Sequence, residues 1–209
     1  MKNRKPKNVG SIFSPTLNVT AATVALLLCP GLAALRADPG NDARAPELTG
    51  VATNILVPGG NKVCFHAYAV GVQIYVCRNI STNEIPQHAW VFTGPEAVLF
   101  ADAGANGEIG LHYANEGNPT RPAWETESGS KVVGAVVLPR ATPDINAIPW
   151  LKLRAVSTEG PGVLARTAYI QRVNTTGGLA PTTGCDAEHL GQEARVAYTA
   201  EYYFYRATE

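Results

Sequence analysis

The side chains best suited by type and spacing to do chemistry stand in one short stretch. Gly110-Leu-His112-Tyr113 is followed by Pro122-Ala-Trp124-Glu125, with the polar stretch Asn115-Glu-Gly-Asn-Pro-Thr-Arg121 between them. If His112 and Glu125 meet, an imidazole and a carboxylate could exchange a proton as acid and base. Trp124 could floor a pocket for a sugar or another ring, and Arg121 would add an anion contact. The plainer alternative is that Trp124 packs the edge of a sheet while Glu125 fixes a turn or pairs with a nearby base. A second group is Gln73, Tyr75 and Cys77, which share one face of a strand-like run, as Tyr169 and Gln171 share a face of another. Inward-facing amides and phenols need hydrogen-bond partners. They form either a binding surface or, more simply, a buried polar network.

Other chemistries find no pattern. His66, His88, His112 and His189 are scattered, with no i,i+4 pair and no HExxH, so no metal ion is expected. There is no Gly-x-Ser-x-Gly elbow, and Ser128-Gly-Ser130 reads as a turn. No catalytic residue and no cofactor is assigned.

The elements that must position these side chains read as strands. In Arg195–Arg206, Val196, Tyr198, Ala200, Tyr202 and Phe204 fall on one face and Arg195, Thr199 and Glu201 on the other. Trp150–Val156 alternates likewise. Further β-rich runs are Lys62–Ala69, Val72–Cys77, Ala89–Thr93, Ala97–Ala101, Glu108–Tyr113, Lys131–Leu138 and Ala165–Val173. Turn signals separate them, among them Gly94-Pro95 and Gly160-Pro-Gly162. Gly and Pro make up 35 of 209 residues, with 45 % hydrophobic and 16 % charged, which is too turn-rich for a helical bundle and too apolar for disorder. The expected fold is all-β: a single antiparallel β-sandwich, jelly-roll or barrel-like, over residues 38–209. Helix is expected only in brief turns at Pro46–Asn54 and Asp186–Ala194.

Residues 1–37 read as a secretory signal peptide. Lys2, Arg4, Lys5 and Lys7 are followed by the apolar run Ala21–Leu28 and then by small residues up to Ala37. That run is shorter than the roughly 20 residues a spanning helix needs. The expected location is therefore secreted or periplasmic. Removing this segment takes away five basic residues with Arg36, leaving 12 basic against 17 acidic residues and a formal −5. Neither nucleic acid nor an anionic membrane is expected as a partner of such a chain.

Three cysteines remain, Cys64, Cys77 and Cys185, in an oxidising compartment. If Val70-Gly71 is a hairpin turn, Cys64 and Cys77 stand opposite each other. Cys77 with Cys185 is the rival pair, and both stay open on spacing alone.

The ordered series Val57-Pro-Gly-Gly60, Gly71–Cys77, Trp90-Val-Phe, His112-Tyr with Trp124-Glu125, Ile148–Leu153, Tyr169–Val173, Gly184-Cys-Asp186 and Tyr202–Tyr205 resembles a known family. It is the exported domain-of-unknown-function family number three-four-five-five of bacteria and fungi. The resemblance covers about residues 46–206 and implies a secreted domain. It also implies a Cys77–Cys185 disulfide, with Cys64 a free buried thiol. Some fungal members are labelled malate dehydrogenase, a name the residues do not support. The one matching string, Gly160-Pro-Gly-Val-Leu-Ala165, carries a proline in the would-be phosphate cradle and leads into a strand rather than a helix. The preferred functional reading is a non-catalytic binding or surface-associated module for a small polar or carbohydrate ligand. That ligand would sit near His112, Trp124, Glu125, Arg121, Gln73 and Tyr75. A secreted hydrolase or lyase using His112 and Glu125, with or without a metal, is the alternative.

Overall fold

Alternation along the chain dictates which side chains face inward. In the last strand Tyr198, Ala200, Tyr202 and Phe204 are buried, while Arg195 and Thr199 are exposed and Glu201 is half-buried. The computed structural model describes residues 45–82 and 85–208, so the expected export segment 1–37 lies outside the described residues. The chain forms eight strands: β1 (Asn61–Asn79), β2 (His88–Phe100), β3 (Glu108–Asn115), β4 (Asn118–Thr126), β5 (Lys131–Ala141), β6 (Trp150–Glu159), β7 (Tyr169–Gly177) and β8 (Glu193–Ala207). Each pairs antiparallel with the next, and β1 pairs with both β2 and β8. The sheet is therefore a closed barrel in sequence order.

Closure corrects the expected sandwich, and the correction turns on β1. Val70-Gly71 is not a turn: the chain runs straight through it, and Val70 faces Val98 on one side and Thr199 on the other. A strand bonded along both edges joins the first and last hairpins and leaves no free edge, which two stacked sheets would have had. Gly71 serves a different purpose. A methyl group there would lie 2.2 Å from the carbonyl oxygen of Glu96 and 2.5 Å from the Cα of Ala97. Gly94-Pro95 is likewise inside a strand, at a bulge where pairing slips between Ile74 and Tyr75. The missing N–H of Pro95 is tolerated at such an irregularity. Asn118–Arg121, expected as loop, opens β4, which leaves only Glu116 and Gly117 to turn the hairpin. Gly160-Pro-Gly162 is a loop, as expected, and lies in the link from β6 to β7.

Both faces of β8 are covered, which explains its aromatic tail. Inside, Tyr202 and Phe204 join Leu99, Trp124, Val132, Leu153, Leu164 and Ile170 in the main core. Each fully buried side chain of this kind is worth about 1.5–3 kcal/mol. Leu164, from the β6–β7 link, is held by its N–H donating to Ser130 Oγ at 3.0 Å. Outside, the 3-10 helix Gly50–Ile55 lays Ala52 and Ile55 on Ala141 and Val173, with Trp150 and Tyr203 packed against them. Gln171 fastens this layer: its Nε2 donates to Ile55 O at 2.7 Å, and the Tyr205 hydroxyl donates to its Oε1. A second 3-10 helix, Ala187–His189, is capped by the Asp186 carboxylate. These two are the brief helical turns that the sequence leads one to expect.

The outward positions carry Lys62, Glu96, Lys152 and Arg154, an apolar-inside, polar-outside pattern opposite to that of a membrane-spanning barrel. None of the helices in the described residues is long and apolar enough to cross a membrane. Cys77 and Cys185 form a disulfide, and Cys64 is a free, half-buried thiol at a bulge of β1. Because β1 does not turn at Gly71, Cys64 and Cys77 never face each other.

Candidate functional site

A cavity of about 330 Å³ enters the barrel, lined in part by the core residues Trp124, Ile148, Leu151, Leu153 and Tyr202. Alternation brings to it Gln73 and Tyr75 from β1, His112 from β3, Trp124 from β4, Arg172 from β7 and Tyr202 from β8. Phe92, Val136 and Arg140, all exposed, stand at its mouth.

At the floor, His112 and Trp124 are cross-strand partners with rings stacked 4.5 Å apart and 12° from parallel. Tyr202 meets both, at 4.9 Å and 5.3 Å. His112 Nδ1 lies 2.8 Å from Ala123 O; since a carbonyl only accepts, Nδ1 carries the proton and Nε2 keeps a lone pair. Burial pushes the His112 pKa down to about 3. The bond to Ala123 opposes this, and the charge of Arg172 adds to it. The ring is therefore neutral at any ordinary pH.

Gln73, Trp124 and Tyr202 line the cavity, but Gln73 Nε2, Trp124 Nε1 and the Tyr202 hydroxyl are themselves covered by protein, and the Tyr202 hydroxyl lies against Tyr198 and Arg172. Arg172 donates Nε and Nη2 to Pro149 O, at 3.2 and 2.8 Å, and its guanidinium also meets the Tyr202 hydroxyl. Its charge is felt at Tyr75 and Tyr202, whose phenols burial raises and Arg172 lowers. Tyr75 itself is fixed, its hydroxyl donating to Gly178 O at 2.6 Å. Among the described residues no aspartate or glutamate lines the cavity.

The outer wall shows what a completed polar cluster looks like in this protein. There Glu201 accepts from His66 Nε2 at 2.9 Å, from Tyr203 at 3.0 Å and from Asn174 at 2.9 Å, so both its oxygens are satisfied. These bonds, the one from His66 foremost, hold its carboxyl below the usual range. Nothing there awaits a ligand.

Of the six expected site residues, Gln73, Tyr75, His112 and Trp124 line the cavity. Glu125 does not. It follows Trp124 on the same strand and so points to the opposite face, where the Tyr113 hydroxyl donates to it at 2.5 Å. Lys131 Nζ lies 5.6 Å from the Tyr113 ring centre on that same face. The His112–Glu125 acid–base pair is thus separated by the sheet itself. Arg121 is also off the cavity and exposed. Sequence reasoning missed Arg172, Tyr202 and Arg140. Among the described residues no three His, Cys, Asp or Glu side chains gather as a metal site would require.

No curated protein and no solved structure matches the chain. A family match covers residues 58–206, from the start of β1 nearly to the end of β8 and so including every wall of the cavity: the chain belongs to the family described as "Protein of unknown function (DUF3455)".

Proposed function

We propose that this protein is an exported, non-catalytic binding module that takes a small ligand with a polar, acceptor-rich end into its barrel. One observation carries the reading: a cavity of about 330 Å³ enters the barrel where Gln73, His112, Trp124, Arg172 and Tyr202, polar and aromatic residues from five strands, converge. The floor is made of stacked rings and the walls of proline and leucine, which suits a flat or compact body behind the polar end. The Cys77–Cys185 disulfide supports export, as does the basic, then apolar, then small-residue N-terminus. With Glu125 on the outer wall, the acid–base alternative has no carboxylate beside His112.

The test is thermal unfolding of residues 38–209 against a panel of simple sugars, amides and organic acids. A saturable rise in Tm with at least one class is expected. It should be lost in Val136→Trp, which fills the mouth from an exposed position. No saturable shift with any class would overturn the reading.

A further inference from the structure

The charge around the cavity narrows the class of ligand. From residue 38 onward acidic residues outnumber basic ones, 17 to 12. Yet among the described residues two arginines and no acid line the cavity. Among those residues Arg172 has no carboxylate partner; two of its five N–H groups go to Pro149 O, and it also meets the Tyr202 hydroxyl. An uncompensated guanidinium beside a largely apolar chamber is costly, and proteins normally pair it.

We infer that the cavity holds a small monocarboxylate, its carboxylate taken by Arg172 and its apolar body on the ring floor. This rests on the cavity being a ligand site. A planar carboxylate matches the fork of a guanidinium, and the two developed hydrogen bonds are charge-assisted. A phosphate dianion fits less well. It would bring a second charge with only one deep cation to meet it, and no helix N-terminus faces the cavity. Arg140, exposed at the mouth, adds positive potential along the way in. The volume is roughly that of eleven waters, room for a ring with a short acid arm.

The experiment is calorimetric titration of residues 38–209 with a matched set: cinnamate, cinnamamide, cinnamyl alcohol and phenyl phosphate. Cinnamate is expected to bind at least ten-fold more tightly than the amide and the alcohol. Arg172→Gln should erase that preference. The comparison among probes on the unmutated protein stands even if the variant does not fold. Equal affinity for acid, amide and alcohol would overturn the carboxylate assignment while the cavity reading survives. So would tighter binding of phenyl phosphate than of cinnamate. Absence of binding by all four would overturn the assignment together with the reading beneath it.

Discussion

His112 shows how a residue that looks catalytic becomes a structural one when its surroundings are fixed. Its proton sits on Nδ1, bound to Ala123 O, and burial keeps the ring uncharged down to about pH 3. The unfolded chain protonates the same ring near pH 6.5. Between those values the unfolded state binds a proton that the folded state refuses, so stability is lost as pH falls from about 6.5 toward 3. The slope is up to about 1.4 kcal/mol per pH unit. His112→Phe keeps a ring on Trp124 and should flatten the slope between pH 6.5 and 5, though it gives up the bond to Ala123. Urea midpoints of both proteins across that range provide the check. A parallel loss in the two would show that His112 is not the group responsible. Four of the six residues expected to form a site line the cavity, because polar and aromatic side chains at alternate positions of one strand share a face whatever the fold. Arg172 escaped notice for a related reason. With Tyr169, Gln171 and Val173 on one side and Ile170 and Arg172 on the other, both faces of β7 mix polar and apolar groups, so the pattern does not say which is inward. Gln171 then turns out to face the outer 3-10 layer, beneath Ile55.

At the scale of the element, glycine inside a strand and glycine in a turn look alike until the neighbours are placed. Gly71 and Gly94 both interrupt β-rich runs and read as breaks, yet both lie within single long strands. What demands glycine is space. At Gly94 a Cβ would lie 2.5 Å from the Cβ of Ala114, and at Gly71 it would strike the backbone of β2. Gly71→Ala is expected to cost about 3 kcal/mol or more, because a paired backbone cannot move aside as a side-chain tip can. Gly59→Ala is the control: nothing lies within 4 Å of a Cβ there, so its midpoint should stay within about 0.5 kcal/mol. Chemical denaturation of the two variants would separate steric exclusion from a general dislike of replacing glycine. The strands that alternate cleanly, β6 and β8, were legible from the residues alone. Most of β4 was not, because its first half is Asn-Pro-Thr-Arg and shows no apolar period.

For the whole molecule, the step that alternation could not supply was closure. Whether eight antiparallel strands stack as two sheets or curl into one barrel depends on whether β1 bonds on both edges, a long-range fact absent from any local window. The disulfide bears on the same scale. Cys77, near the end of β1, and Cys185, in the β7–β8 link, stand 108 positions apart and 5.3 Å apart between Cα atoms. That link is also tied to the barrel by Tyr75 donating to Gly178 O and by Trp90 Nε1 donating to Thr183 O at 2.8 Å. The folded state therefore keeps other holds on the link when the S–S bond is gone, and the loss falls mainly on the unfolded chain, which gains the freedom of a very long loop. The chain-entropy relation makes such a loop worth about 4–5 kcal/mol. Cys77→Ala combined with Cys185→Ala should thus fold to the same β-rich circular dichroism spectrum but unfold at a much lower urea concentration. Reductant should lower the midpoint of the natural protein by a similar amount and leave the double variant unchanged. Cys64 makes the comparison clean, since Cys64→Ala removes the one other thiol among the described residues without touching the bridge. If the double variant unfolded at the natural midpoint, the contacts of Tyr75 and Trp90 would already restrain the unfolded chain, and the entropic account of the bridge would be wrong.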